Sequence, residues 1–183
     1  MRKVIAICGV PGTGKSTLMR KLMESSTWER QEQVKLVVSE YSQDLDLHIL
    51  GKYDDGEVFA GTDKLSMAVS PEVEKFLGVT QSDVIFEGDR LTGQKLFTFI
   101  SDKLTNQVEF HIIVIKAKQD TLNSRYVERG SNQPEQFLNA KETKINNILN
   151  NFELSEFITE FDNENLDDQL KILQFIESVI KKE

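Results

Sequence analysis

Cysteine, histidine, proline and long apolar runs are all scarce in this sequence of 183 residues. Cys8 is the only cysteine, which excludes a disulfide scaffold and suits a reducing compartment, so we expect a cytoplasmic protein. Two histidines and one cysteine offer no cluster of transition-metal ligands. No apolar run approaches the ~18 residues of a membrane span, so we expect no association with a membrane. No stretch rich in proline, glycine or serine divides the chain, and its length fits one domain over residues 1–183.

The charge of the chain is acidic overall but unevenly distributed. A formal net charge of −8 argues against a general nucleic-acid binder, because such proteins present a basic face. Residues 1–35 nevertheless carry a net charge of +4 and residues 116–151 one of +2, whereas residues 36–115 and 152–183 carry −8 and −6. Two modestly basic segments in an acidic chain indicate a localised site for an anion.

Strand-like and helix-like patterns alternate along most of the chain. Short apolar runs predict core strands, and apolar residues at helical spacing predict the helices that connect them. The predicted strands span 3–8, 34–38, 84–86, 110–115 and 157–161, and the predicted helices begin near Gly14, Gly93, Asp120, Pro134 and Leu166. This alternation predicts a three-layer α/β/α fold with about five parallel strands and helices on both faces of the sheet.

Residues 40–80 interrupt the alternation. Two runs, 47–53 and 57–60, flank Asp54-Asp55-Gly56, which predicts a hairpin turn. The segment has no evident role in the core. Inserted loops on a rigid scaffold often carry recognition residues, so we expect an inserted region that binds a substrate.

The stretch Gly9-Val10-Pro11-Gly12-Thr13-Gly14-Lys15-Ser16-Thr17 matches the phosphate-loop pattern G-x-x-x-x-G-K-[ST] in full. Glycines allow backbone N–H groups to turn inward around phosphate oxygens, and the following helix points its positive dipole end at the same anion. Lys15 is expected to reach the β- and γ-phosphates, and the Ser16 hydroxyl to bind Mg²⁺. The expected phosphate-binding residues are Gly9, Gly12, Thr13, Gly14, Lys15, Ser16 and Thr17.

The loop and the layout of the chain resemble those of P-loop nucleoside and nucleotide kinases. The resemblance covers most of the sequence and is weakest across residues 40–80. In that family a helix after the fourth core strand carries arginines in a lid over the phosphates. The resemblance therefore implies a lid region over residues 116–150, where Arg125 and Arg129 share one helical face. Lys141 and Lys144 on the next predicted helix are further candidates, and a solvated surface is the alternative role for these side chains.

A carboxylate ends the third predicted strand. Enzymes with this loop need such a group opposite it to hold Mg²⁺ or its waters. The string Glu87-Gly88-Asp89-Arg90 resembles nucleoside and thymidylate kinases more than the commoner pattern, in which the strand ends in Asp. The resemblance implies that Glu87 holds the metal, acts as a general base, or does both. Asp89 is a second candidate, and Arg90 would lie near the transferred phosphoryl group. A phosphate acceptor is already ionised and needs no base, so the acceptor chemistry stays open.

The segment 40–80 offers candidates for binding the acceptor. Aromatic side chains stack on bases, and Asp63 can hydrogen-bond a base edge or a sugar hydroxyl; capping of a short helix is its alternative role. The string 61–67 is similar to one in phage-type P-loop kinases, including those proposed to phosphorylate hydroxymethylated bases within DNA. The candidate acceptor-binding residues are Glu40, Tyr53, Asp63, Lys64, Ser66, Lys141 and Lys144.

The favoured interpretation is an ATP- and Mg²⁺-dependent kinase that acts on a nucleoside or a nucleoside monophosphate. One alternative acceptor is a hydroxymethylated base, such as 5-hydroxymethyluracil, in phage DNA, although the acidic chain weighs against it. The other alternative is a nucleotide-dependent regulatory NTPase, but the guanine-reading string Asn-Lys-x-Asp does not occur. The sequence leaves open the choice between ATP and GTP and between a monomer and a homodimer.

Overall fold

The computed structural model describes residues 1–54, 56 and 60–180. Within them, seven strands form one sheet in the spatial order β2-β3-β4-β5-β1-β6-β7. The strands are β1 (Arg2–Cys8), β2 (Glu29–Val34), β3 (Val37–Ser42), β4 (Leu47–Leu50), β5 (Asp83–Glu87), β6 (Val108–Lys116) and β7 (Ile158–Asp162). Strands β4, β5, β1, β6 and β7 are parallel, and β3 and β2 continue the sheet in antiparallel pairing.

Six α-helices cover the sheet within the same residues. They are α1 (Lys15–Met23), α2 (Ser70–Val79), α3 (Gln94–Lys103), α4 (Gln119–Glu128), α5 (Glu135–Leu149) and α6 (Leu166–Ile180). Short 3₁₀ helices occur at Thr62–Lys64 and Phe152–Phe157. The predicted three-layer α/β/α fold with five parallel strands is confirmed.

The alternation of side chains along β1 explains the three layers. Val4, Ala6 and Cys8 pack on one face with α2, α3 and α5. Ile5 and Ile7 pack on the other face with α1 and α6. Because both faces are buried, β1 is a continuous apolar run, as central strands of parallel sheets usually are.

The strand predicted at 34–38 is wrong. These residues form the tip of the β2–β3 hairpin, where Leu36 has a left-handed φ of 69°. An extended strand cannot pass through such a residue. The parallel position beside β5 is taken by β4, whose four residues are all buried.

The prediction that residues 40–80 lie outside the core is also wrong. Strand β4 is inside the sheet. Helix α2 packs on one face of the sheet and buries Val73, Phe76 and Leu77 there. The predicted hairpin at 54–56 falls partly outside the described residues, although an antiparallel bridge joins Lys52 to Gly61 across it. Helix α4 begins one residue before Asp120, and its first turn is capped by Glu164, which accepts hydrogen bonds from the Lys118 N–H and the Thr121 hydroxyl.

Cys8 has the packing role expected of a lone cysteine at the end of a central strand. Its side chain is fully buried, and burial raises the pKa of the Cys8 thiol to about 12. A thiol of this kind stays protonated and unreactive at neutral pH. None of the helices in the described residues is both long and apolar enough to cross a membrane.

We expect the fold to lose stability as the pH falls from about 6.5, because His48 is buried on β4, the strand between β3 and β5. Its Nδ1 lies 3.0 Å from the Ser39 hydroxyl, and burial lowers the pKa of His48 to about 4, although Asp46 opposes the shift. The unfolded chain binds the proton near pH 6.5 and the folded chain does not, so stability rises with pH across this window. Urea unfolding should report a loss of roughly 2 kcal/mol between pH 7.5 and 5.

The His48→Gln variant should flatten this dependence, whatever its own stability at pH 7.5. The matched control is His111→Gln, since His111 is only half-buried and pairs with Glu109 at 3.0 Å. An equal slope in wild type and His48→Gln would contradict the assignment.

Candidate active site

A cavity of about 870 Å³ lies at the carboxyl ends of β1 and β5. The two strands are neighbours, and Ile7 pairs with Glu87 in their register. The sheet therefore places the phosphate loop, which follows β1, directly beside the last residue of β5. The remaining walls come from the 3₁₀ helix Thr62–Lys64, the loop 130–134 and helix α5. The predicted site residues that line the cavity are Gly9, Gly12, Gly14, Lys15, Ser16, Asp63, Glu87, Asp89, Arg90, Arg129 and Lys141.

Hydrogen bonds hold the carbonyl groups of the phosphate loop away from the anion position. Three consecutive carbonyls accept from side chains outside the loop: the Tyr126 hydroxyl on Pro11 (2.8 Å), Arg125 Nη1 on Gly12 (3.0 Å), and Asn163 Nδ2 on Thr13 (2.8 Å). We call Arg125, Tyr126 and Asn163 the loop brace. With its carbonyls engaged in this way, the loop keeps its N–H groups available for phosphate oxygens.

Lys15 completes the loop from inside. Its ammonium donates to the carbonyls of Gly9 (2.8 Å) and Val10 (3.1 Å), and the Thr13 hydroxyl also donates to Val10 (2.9 Å). Burial lowers the pKa of Lys15, while the nearby Glu87 carboxylate opposes the shift. The lysine is thus held in the loop beside its acidic neighbour.

Glu87 is the most constrained acidic group in the cavity. Only 2% of it is exposed, and its Oε1 accepts a hydrogen bond from the Ser16 hydroxyl at 3.0 Å. The buried Tyr53 hydroxyl lies 3.4 Å from the same oxygen. Burial raises the pKa of Glu87, although Lys15 and the Ser16 hydrogen bond oppose the shift. A buried carboxylate beside a hydroxyl of the phosphate loop is suited to hold a metal ion or to take up a proton.

The segment after β4 reaches Glu87 because Gly61 has no side chain. A Cβ on Gly61 would lie 2.3 Å from Glu87 Oε1, and the residue has a left-handed φ of 76°. The neighbouring Thr62 hydroxyl donates to the Glu87 carbonyl at 2.7 Å. Residues 61 and 62 therefore form one wall around the carboxylate.

Two carboxylates and two cations line the far side of the cavity, and a third cation, Lys144, contacts one of these carboxylates. Asp63 Oδ1 accepts a hydrogen bond from the backbone N–H of Arg90 at 2.8 Å, and Arg90 Nη2 donates to the backbone carbonyl of Asp63 at 3.1 Å. Asp89 pairs with Lys141 at 2.6 Å and with Lys144 at 2.9 Å. Burial alone would raise the pKa of Asp89, but the hydrogen bonds from the two lysines outweigh it and bring the pKa below its ordinary value. These pairs tie helix α5 to the end of β5.

Several predicted site residues lie elsewhere. Glu40 on β3 accepts from Arg30 at 2.6 Å, and Lys64 pairs with Asp54 at 3.4 Å. Ser66 caps the backbone N–H of Ala68 at 3.2 Å. The predicted residues that do not line the cavity are Glu40, Tyr53, Lys64, Ser66, Thr13, Thr17, Arg125 and Lys144. Of these, Tyr53 and Lys144 still contact a lining carboxylate, and Arg125 braces the loop from outside.

Sequence reasoning did not find some of the residues that form the site. Asn163 follows β7 and Tyr126 lies between the two predicted lid arginines, yet neither belongs to a recognisable motif. Met67, Gln133 and Phe137 line the cavity. The one signal for Met67 was its position in the string 61–67, whereas its exposure of 82% is a property of the structure.

The residues present fit Mg²⁺. Ser16 and Glu87 bring a hydroxyl and a carboxylate oxygen within 3.0 Å of each other. Mg²⁺ prefers oxygen ligands and usually takes only one or two from the protein, with phosphate oxygens and water completing its shell. The described residues contain no group of three or more histidine, cysteine or acidic side chains arranged to hold a metal without a nucleotide.

The fold and the loop together define a P-loop NTPase of the α/β class. Residues 5–147 match the profile described as an AAA domain, and the chain belongs to this family. No curated protein sequence matches the chain significantly.

Two solved structures are similar to this chain over nearly the whole length of each chain. An unliganded sugar kinase from Janibacter sp. HTCC2649 is 11% identical, with a TM-score of 0.50 and coverage of 100% of both chains. A gluconokinase from Sinorhizobium meliloti 1021 is 11% identical, with a TM-score of 0.48 and coverage of 97% of this chain and 98% of that one. At this identity the likeness to the sugar kinase concerns the fold alone.

The loop brace predicts that Asn163→Ala weakens nucleotide binding. The substitution leaves the Thr13 carbonyl without its buried donor, which should cost about 1–3 kcal/mol of stability. We expect the Kd of a non-hydrolysable ATP analogue to rise about tenfold, corresponding to ~1.4 kcal/mol. Isothermal titration calorimetry measures the Kd.

The matched control is Asn165→Ala, two residues further along. Asn165 is exposed, and its side chain accepts from the Asp168 N–H at 3.0 Å at the start of α6. It should leave the Kd unchanged. Wild-type affinity in Asn163→Ala would show that the brace does not shape the loop.

Proposed function

We propose that the protein is an ATP- and Mg²⁺-dependent kinase that transfers the γ-phosphoryl group to a nucleoside or nucleotide. One observation carries the proposal: the phosphate loop with Ser16 and Glu87 shares a single cavity with a separate polar wall that contains Asp63 and Arg90. A cavity of about 870 Å³ is at the upper end of the range for small-molecule sites, so it has room for the end of a nucleotide and an acceptor.

The loop and its brace bind the donor in this proposal. The loop N–H groups and the Lys15 ammonium hold the phosphates, and the helix α1 dipole adds to their attraction. Ser16 and Glu87 would hold Mg²⁺, which when bound offsets phosphate charge. Arg129 lines the cavity and lies close enough for its charge to act against that of Lys15, which supports a role for Arg129 on the donor side.

The wall opposite the loop orients the acceptor. Asp63 and Arg90 offer a carboxylate and a guanidinium, and each of these groups is held by a hydrogen bond to the backbone of the other residue. Helix α5, held by Asp89, contributes Phe137 and Lys141 to the same wall. Positioning of this kind contributes much of the rate in phosphoryl transfer, because the reaction needs little covalent chemistry from the protein.

Labelled ATP provides the test. Purified protein with Mg²⁺ should transfer label to at least one member of a panel of nucleosides, nucleoside monophosphates and DNA that contains hydroxymethylated bases, and a parallel series with GTP reports the donor preference. Lys15→Ala and Glu87→Gln should each lower kcat/KM by ~100-fold or more, because Lys15 offsets the charge of the reacting phosphates and Glu87 would hold the metal ion. Steady hydrolysis with no transfer to any acceptor would indicate a regulatory NTPase and end the proposal.

Gly61→Ala should also abolish most of the activity, although no functional group is lost. The new Cβ would meet Glu87 Oε1 at 2.3 Å, so the carboxylate must leave its place beside Ser16. We expect a fall in kcat of at least ~100-fold with nucleotide affinity less affected, because misplacing a reacting group by about 1 Å can cost this much. Single-turnover kinetics and nucleotide titration separate the two effects.

Gly78→Ala is the matched control. Gly78 lies in helix α2, and a Cβ there meets no atom within 4 Å. It should retain wild-type activity and be slightly more stable, by up to ~1 kcal/mol. Full activity in Gly61→Ala would remove Glu87 from the proposed mechanism.

A further inference from the structure

We infer that the acceptor is an uncharged compound phosphorylated on a hydroxyl group, and that Arg90 and Gln133 recognise its oxygens. This inference rests on the proposed kinase function and decides between two classes of acceptor that the function leaves open. It excludes a nucleoside monophosphate as the preferred substrate. Charge, hydrogen bonding and the shape of the wall each contribute an independent argument.

The positive charge around the cavity is no more than one metal-bound nucleotide needs. Four cationic side chains line it, namely Lys15, Arg90, Arg129 and Lys141. Three acidic side chains line it as well, namely Asp63, Glu87 and Asp89. The net charge of these residues is +1, the neighbouring Lys144 adds +1 and a bound Mg²⁺ would add +2, so together they only offset the charge of about −4 on the phosphates of ATP. A second phosphate group would enter a cavity with no surplus positive charge, and like charges at short range are costly.

Both lysines on the acceptor side pair with Asp89, which leaves this group with a net charge of +1. Lys141 and Lys144 donate to its two carboxylate oxygens at 2.6 and 2.9 Å, and Lys144 also donates to its carbonyl at 2.9 Å. A phosphate that recruited these lysines would displace Asp89 and then face its carboxylate. An uncharged acceptor leaves the three groups as they are.

Within the described part of the chain, four buried side-chain polar atoms have no hydrogen-bond partner, and two of the four belong to residues that line the cavity. These two are the donor Arg90 Nε and the acceptor Gln133 Oε1. Buried polar atoms are normally paired, because an unpaired one costs about 1–3 kcal/mol. Hydroxyl groups can satisfy both atoms, since they donate and accept. A phosphate dianion has only acceptor atoms and cannot donate to Gln133 Oε1.

The same wall has an apolar part. Met67 is 82% exposed and Phe137 is 39% exposed, and both line the cavity beside Ile145. The Lys141 ammonium lies 4.6 Å from the centre of the Phe137 ring. Exposed methionine and phenylalanine side chains suit the flat face of a ring. The acceptor therefore combines hydroxyl groups with an apolar ring, as a nucleoside does.

Glu87 supplies the base that a hydroxyl acceptor needs. Its carboxylate takes the hydroxyl proton, the acceptor oxygen forms a bond to the γ-phosphorus, and the bond from that phosphorus to the β–γ bridging oxygen breaks. The products are a phosphate monoester and ADP, and the proton leaves Glu87 to solvent. Glu87 Oε1 accepts from the Ser16 hydroxyl of the phosphate loop at 3.0 Å, so this carboxylate lies beside the position of the bound phosphates.

Matched pairs of acceptors test the inference. Each nucleoside and its 5′-monophosphate are compared for kcat/KM with ATP, and for binding in the absence of nucleotide by thermal shift and calorimetry. We expect every nucleoside that is phosphorylated to exceed its monophosphate by at least ~10-fold in kcat/KM, with the same order in binding. A preference for monophosphates, or for an oligonucleotide that contains a hydroxymethylated base, would overturn the uncharged acceptor while leaving the kinase function intact. Transfer to no acceptor would instead end the proposed function.

Two variants separate recognition from folding. Gln133→Met, which removes the acceptor atom at similar volume, should raise the KM of the nucleoside about tenfold and leave the KM of ATP unchanged. Gln107→Met is its control, because Gln107 is exposed and does not line the cavity.

Asp89→Asn releases the two lysines and should shift the ratio of kcat/KM values toward the monophosphate by about tenfold. A merely structural Asp89 would lower both values together, and that result would contradict the charge argument.

Discussion

Hydrogen bonds to the carbonyl groups of the phosphate loop are the interaction on which the rest of this structure depends. Each carbonyl from Gly9 to Thr13 accepts at least one hydrogen bond from a side chain. A peptide unit whose carbonyl is held in this way can present its N–H group only on the opposite side. The anion site is thus formed by what surrounds the loop as much as by the loop itself.

The donors come from distant parts of the chain, and this couples the anion site to the assembled sheet. Tyr126 and Arg125 belong to α4, which follows β6, and Asn163 follows β7. The contact between Asn163 and Thr13 spans 150 residues. Helix α4 also ends next to Arg129 and the loop 130–134, so the element that braces the phosphate loop also carries the rim of the cavity.

A buried carboxylate organises the other half of the site. Glu87 sits where the phosphate loop, Tyr53 and the segment 61–62 meet, and its burial is unfavourable for the ionised form. Proteins usually keep such groups at functional sites, where the shift in pKa serves the chemistry. Part of the acidic charge of the chain lies in this site, where it pairs with cationic side chains. Asp89 pairs with both Lys141 and Lys144 of helix α5, which reduces the positive charge that residues 116–151 bring to this wall.

Local patterns were sufficient wherever neighbouring residues determine the outcome. The phosphate loop, strands β1, β5 and β6, the carboxylate at the end of β5 and the three-layer fold all follow from residue types at short spacing. Helical periodicity placed Arg125 and Arg129 on one face, but α4 packs against the loop, and only Arg129 lines the cavity. The apolar run at 34–38 looked like a strand because no local pattern reveals that Leu36 turns the chain.

The tertiary structure alone decided which segment completes the parallel sheet, which side chains reach the cavity, and what holds the loop open. Strand β4 has only four residues, and its burial on both faces exists only once β5 lies beside it. Asn163, Tyr126 and Gln133 acquire their roles through contacts with residues far away in the chain. Sequence periodicity reports the environment of a residue along its own element, whereas such contacts depend on how the elements pack, and this is the physical reason for the division.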